Sequence, residues 1–134
     1  MMETSKKRLL LVDDEPDITF ALKQTLQENG FEVDSFNDPL LVLQSFKAHF
    51  YDFLILDIRM PEMDGFELYR EIKKKDSSVK VCFLTALTEL QDYEQYKNEV
   101  CPKLGERYFV VKPIDNEELI RRVNEMIESS NISD

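Results

Sequence analysis

Five side chains carry most of the chemistry this sequence could do: Asp13 and Asp14 in VDDEP, Asp57 in LDIRMPEMDG, Thr85 in LTA and Lys112 in VVKP. Three carboxylates brought within a few Å repel one another by about 4 kcal/mol per pair at 4 Å and an effective dielectric of about 20. A fold does not collect them for stability. A bound divalent cation removes the repulsion, and all-oxygen ligands with room for water suit Mg²⁺. The ammonium of Lys112 offsets part of the charge when metal is absent. An aspartate in such a setting can attack phosphorus and form an acyl phosphate. Phosphoryl transfer is catalysed mostly by positioning and charge neutralisation, which a metal ion and an ammonium group both supply. The Thr85 hydroxyl can donate to a phosphoryl oxygen once one arrives.

These residues are far apart in the chain, so the elements between them must bring them together. Short apolar runs alternate with helical patterns five times. Arg8 to Asp13 reads as a strand buried on both faces. Pro16 to Asn29 places Ile18, Leu22, Thr25 and Leu26 at helical spacing, and Gly30 stops the helix. Phe31 to Phe36 is a second strand. Asp38 and Pro39 open a second helix as cap and first residue, with Leu40, Leu43, Phe46 and Phe50 on its inner face. Phe53 to Asp57 is a third strand, wholly apolar until its final carboxylate. Gly65 to Lys75 is a helix with Phe66, Tyr69 and Ile72 inward. Val79 to Leu84 is the fourth strand, and Thr85 follows it. Thr88 to Val100 is a weaker helical pattern and Tyr108 to Val111 the fifth strand. Asp115 caps a last helix, with Glu118 completing a capping box and Leu119, Ile120, Val123 and Ile127 inward.

This alternation predicts an α/β fold: one doubly wound, five-stranded parallel sheet with helices on both faces. Ligands of such sheets gather at the carboxyl ends of the strands. Asp13, Asp14, Asp57, Thr85 and Lys112 all fall at that edge.

The chain has 134 residues, enough for one hydrophobic core and too few for two. We expect a single domain over 1–134, with its core in about 7–127 and a short tail at 128–134. The net charge is −10, from 27 acidic and 17 basic residues. That excess argues against general affinity for nucleic acid or anionic membrane. No apolar run approaches the ~20 residues that span a bilayer, and the N-terminus lacks a secretory apolar region, so a cytoplasmic location is expected. Cys82 and Cys101 lack metal-ligand spacing; Cys82 reads as core and Cys101 as an exposed thiol.

The motifs VDDEP, LDIRMPEMDG, LTA and VVKP, in that order, resemble the receiver domain of two-component response regulators, from about Lys7 to Met126. The resemblance implies a flavodoxin-like sheet of order 2-1-3-4-5. It implies Asp57 as phosphoacceptor, and Asp13, Asp14, Asp57 and the backbone carbonyl of Arg59 around Mg²⁺. Thr85 and Lys112 match the hydroxyl and lysine that contact the phosphoryl group. Phe109 falls at the aromatic switch position, although an aromatic in a strand is equally well read as core. Pro61 and Gly65 match the turn after the phosphoacceptor. A histidine kinase or phosphotransfer protein is the implied donor, and an unidentified protein the implied target. The chain would act as a monomer or a phosphorylation-linked dimer, catalysing only its own phosphorylation and dephosphorylation.

Other readings compete. Asp57 alone could be a capping aspartate, Asp13 and Asp14 a solvated acidic edge, and Lys112-Pro113 a simple turn. His49 reads as a surface or helix-capping residue, and Lys73, Lys74 and Lys75 as a helix C-terminus favoured by its dipole. A metal-dependent aspartyl-phosphate hydrolase would carry its D-x-D motif after the first strand, which this chain lacks. A phosphorylation-independent interaction module would not need the five residues. The stretch from Thr85 to Lys112 is longer than is usual for receivers, and we expect it to reshape the fourth helical stretch and the loop after it.

Overall fold

The computed structural model describes residues 6–86, 109–112 and 115–128. Five strands, β1 (Arg8–Val12), β2 (Glu32–Phe36), β3 (Phe53–Asp57), β4 (Lys80–Ala86) and β5 (Phe109–Lys112), form one sheet. All neighbours pair in parallel, in the order β2-β1-β3-β4-β5. The described helices are α1 (Pro16–Glu28), α2 (Pro39–Ser45), α3 (Gly65–Lys75) and α4 (Asn116–Glu128). α1 packs beside α4, and α2 beside α3, so the sheet is covered on both faces. The weak helical pattern at Thr88 to Val100, the lengthened stretch around it and Cys101 lie outside the described residues.

The parallel arrangement explains why the central strands are apolar without alternation: each has a helix layer on either side. Leu9 to Val12 and Phe53 to Leu56 are fully buried. Each such Leu, Ile, Val or Phe contributes about 1.5–3 kcal/mol through burial. Cys82 is part of this core, and burial pushes its thiol pKa up to about 12, so it is chemically quiet.

Local signals set the helix starts. The Asp38 carboxylate accepts from the Leu40 N–H at 2.9 Å, and Pro39 takes the first helical position. Asp64 and Glu67 form a reciprocal capping box at α3, whose last turn carries Lys73, Lys74 and Lys75. Asp115 accepts from the Glu118 N–H at 2.9 Å. The Glu118 side chain, however, is engaged by Arg121 and Arg122.

Several expectations shift. Thr85 lies inside β4 rather than after it, paired with Val111 of β5. α2 buries Pro39 and Val42, with Leu43 and Phe46 only partly covered. Leu40 is exposed within α2, whose buried face is that of Pro39 and Val42. Phe50 is exposed because α2 ends at Ser45 and Phe50 sits in the following loop under Arg8, 4.3 Å from its guanidinium carbon. In α4, Met126 joins Leu119 and Val123 in the core, while Ile120 and Ile127 lie at its margin. His49 lies at the surface, one of the two readings offered for it, with a φ of 62° and its N–H donating to Asp76 at 2.8 Å. Burial works to raise the Asp76 pKa, but donors from Ser78 and His49 outweigh it and hold the carboxyl below its ordinary value. No helix among the described residues is long and apolar enough to cross a membrane.

Candidate functional site

β1 and β3 lie side by side and end together, so Asp13 and Asp14 meet Asp57 at one edge of the sheet. Each of the three offers a carboxylate oxygen, and these oxygens all lie within 4.8 Å of one another. β4 and β5 add Thr85 and Lys112 beside them, with Ala86 opposite Lys112 in the pairing. The Lys112 ammonium is 2.9 Å from Asp13 Oδ2, 3.3 Å from Asp57 Oδ1 and 3.7 Å from Glu15 Oε1. A cleft of about 340 Å³ opens over this group, lined by Asp14, Glu15, Asp57, Arg59, Ala86 and Lys112.

Burial makes the charges unequal. Asp13 is fully buried and Asp57 nearly so. Burial first, and repulsion from Asp13 second, raise the Asp57 pKa to about 7, against the opposing pull of Lys112. Burial also disfavours the Lys112 ammonium, but the Asp13 and Asp57 carboxylates prevail and hold its pKa above the usual lysine value. Asp13 Oδ1 accepts the Glu15 N–H at 3.0 Å. Asp13 Oδ2 faces Lys112 outside hydrogen-bond geometry, so it has a counter-charge but no directed bond among the described residues. A buried carboxylate oxygen left in this way, within reach of two further carboxylates, fits a hard divalent cation.

The loops after the strands fix these side chains. The Asn37 amide donates to the Asp13 carbonyl at 2.8 Å and to the Thr19 hydroxyl at 2.9 Å, and the Thr19 hydroxyl donates to the Pro16 carbonyl at 3.0 Å. This ties the turn before α1 to the end of β2. Sequence reading missed Asn37, since nothing in its neighbourhood marks a link to a residue 24 positions away. It also passed over Glu15, which VDDEP contains but the motif's carboxylate pair overshadows. After β3, the Ile58 N–H bonds to the Leu84 carbonyl and the Gly65 N–H to the Ile58 carbonyl.

Gly65 is required by proximity: a Cβ there would run into the carbonyl oxygen of Asp57. Gly65→Ala is therefore expected to cost about 2 kcal/mol and to weaken cation binding together with it. Denaturant unfolding and titration calorimetry of the purified variant check both; an unchanged unfolding midpoint would mean that the loop yields without cost.

Thr85 is buried, and its hydroxyl donates to the Ala86 carbonyl at 3.3 Å. Phe109 is 4% exposed and stacks on Phe83 at 5.5 Å, with Phe66 at 6.3 Å, so its ring belongs to the core cluster under the site. Arg59 is exposed at the cleft wall. Asp13, Asp14, Asp57, Arg59, Thr85, Lys112 and Phe109 thus lie on or directly beneath one strand-end edge.

The response regulator receiver domain family matches residues 9–124. The probable transcriptional regulator ycf27 of Guillardia theta is 35% identical over 127 residues, covering 95% of this chain and 48% of the relative. The response regulator TrrA of Thermotoga maritima, solved in complex with Mg²⁺ and BeF, is 35% identical with a TM-score of 0.69, covering 90% of this chain and 98% of that one. The receiver domain of a sensor histidine kinase from Pseudomonas aeruginosa PAO1, solved with a magnesium ion coordinated in its active site cleft, is 28% identical with a TM-score of 0.75 over 93% and 100%. The chain spans about half, or less, of the length of the curated relatives it matches.

Proposed function

Because the chain belongs to the response regulator receiver domain family, we propose that it is a phosphorylation-dependent signalling switch with Asp57 as its phosphoacceptor. A histidine kinase or phosphotransfer protein is the donor, and the output is a changed surface read by a protein target in the cytoplasm. The observation that carries this reading is the convergence of Asp13, Asp14, Asp57 and Lys112 at one strand-end edge.

An Asp57 oxygen forms the bond to phosphorus as the phosphorus–nitrogen bond of the donor phosphohistidine breaks. The departing imidazole keeps the electron pair and takes up a proton. Lys112, already 3.3 Å from Asp57, neutralises a phosphoryl oxygen. The Thr85 hydroxyl exchanges its bond to the Ala86 carbonyl for one to the phosphoryl group, and Phe109 repacks behind it. Asp13, Asp14, Asp57 and the Arg59 carbonyl would hold Mg²⁺, which would supply positive charge to offset that of the phosphoryl oxygens. Hydrolysis reverses the switch: water attacks phosphorus, inorganic phosphate leaves, and the Asp57 carboxylate is restored.

The test is intact-mass measurement after incubation with acetyl phosphate and Mg²⁺. One added phosphate is expected, mapped to the peptide that carries Asp57 and lost when EDTA is added first. No adduct, or an adduct mapped elsewhere, would overturn the proposal.

A further inference from the structure

Glu15 occupies the N-cap of α1, a position where Ser, Thr, Asp or Asn side chains ordinarily accept a bond from the first turn. The Glu15 side chain makes no such bond. Its backbone carbonyl serves the helix instead, accepting from the N–H groups of Ile18 and Thr19. The side chain turns toward the cleft, with Oε1 3.7 Å from Lys112 Nζ and 61% of its surface exposed. It therefore lines the same open cleft as Asp14, Asp57 and Lys112. Asp13 and Asp57 are nine-tenths buried or more and face inward, so Glu15 is the carboxylate of the Lys112 cluster that solvent and donor meet first.

We propose that Glu15 is an electrostatic gate that discriminates among phosphodonors by their charge, a reading that rests on Asp57 being the phosphoacceptor. It repels an approaching anion and competes with it for the Lys112 ammonium, and both effects slow small, highly charged donors. A protein donor is affected less, because its docking contacts outweigh one screened charge at the mouth of the cleft. Glu15 acts through Lys112 and through the local field, so it is a positioning and selectivity residue rather than a catalytic one.

Two small donors of different charge test this. At neutral pH acetyl phosphate is mainly a dianion and phosphoramidate mainly carries one net negative charge. In both transfers an Asp57 oxygen bonds to phosphorus as the donor bond breaks, and acetate or ammonia leaves with the electron pair. Initial rates are read by intact mass, at saturating Mg²⁺, for the wild type, Glu15→Gln and Glu15→Asp. Glu15→Gln is expected to speed acetyl phosphate about three- to ten-fold and phosphoramidate distinctly less, with the difference shrinking in high salt. Glu15→Asp keeps the charge and should stay near the wild type. Calorimetry of the metal alone should show Mg²⁺ binding to Glu15→Gln weakened about two-fold, opposite in sign to the rate gain. A merely distorted α1 would lower both. Equal acceleration with both donors, or none, removes the gate. If wild-type Asp57 takes phosphate from neither donor, the switch itself fails and the gate with it.

Discussion

Asp57→Asn is expected to give a protein that takes no phosphate and yet unfolds at a higher temperature than the wild type when metal is absent. The first half follows from chemistry: an amide oxygen cannot form the acyl phosphate. The second half follows from the raised Asp57 pKa, which goes from 3.8 to about 7 through burial and the neighbouring Asp13. The folded state holds the Asp57 proton more tightly than the unfolded chain does. Below about pH 4 both states are protonated and the group costs nothing. Between pH 4 and 7 the unfolded state ionises freely while the folded state resists, so stability declines across that window. Above pH 7 the cost is complete, bounded near 4 kcal/mol by the size of the shift at about 1.4 kcal/mol per unit. Relaxation of Lys112 reduces it, and we expect Asp57→Asn to gain about 2 kcal/mol at pH 8, or ~5–8 °C in melting temperature. At pH 4 the two proteins should melt together. Saturating Mg²⁺ should narrow the gap at pH 8, since the cation relieves the same repulsion in the wild type. Thermal melts across pH 4–8 with EDTA and with Mg²⁺ measure this; a variant less stable than the wild type at pH 8 in EDTA would show that the site is not under charge strain.

Lys112→Met should move stability the other way. The methionine keeps most of the buried stem but removes the cation that meets Asp13 at 2.9 Å and Asp57 at 3.3 Å. Asp13 is fully buried, and a buried carboxylate left without its counter-charge costs about 3–5 kcal/mol. Partial relief comes from protonating Asp57, so a net loss of about 2–3 kcal/mol in EDTA is expected. Lys112 has its pKa raised in the folded protein. Its contribution is therefore present throughout the range below the unfolded lysine pKa and is lost only as pH rises beyond it. The deficit should accordingly persist from pH 7 to 9. Mg²⁺ should restore much of it, because a divalent cation can take over the neutralising role. Denaturant unfolding with and without Mg²⁺ checks this; a deficit that the metal leaves untouched would assign Lys112 a packing role instead. The double variant Asp57→Asn/Lys112→Met should be less destabilised than the sum of the single changes, because the two groups share one interaction.

The site was largely legible because its residues sit at the ends of strands with a clear apolar pattern. FLILD and RLLLV each carry a run too apolar for a half-exposed strand, so both predict central positions in a covered sheet. Once those strands are parallel neighbours, Asp13, Asp14 and Asp57 must share an edge. Gly65 was likewise readable as the start of a helix, whereas the capping pair Asp64 and Glu67, also a short-range device, was passed over. Where short-range pattern was the only guide, it erred. Leu40 and Phe50 looked like an inner face at helical spacing, yet α2 stops after Ser45 and the loop that follows turns Phe50 outward. Thr85 looked like a loop residue because threonine begins helices as readily as it fills strands, but pairing with β5 extends β4 through Ala86.

The sequence by itself determined the sheet class, the edge at which the carboxylates gather and the kind of chemistry they suit, because periodicity and strand-end residue types are local properties of the chain. Tertiary structure alone decided the electrostatics. Only with the sheet covered does burial lift the Asp57 pKa toward neutrality, leave Asp13 Oδ2 facing an ammonium with no directed bond from the described residues, and bring Asn37 across from β2 to hold the turn. Those are effects of distance and desolvation between residues remote in sequence, and no local pattern encodes them.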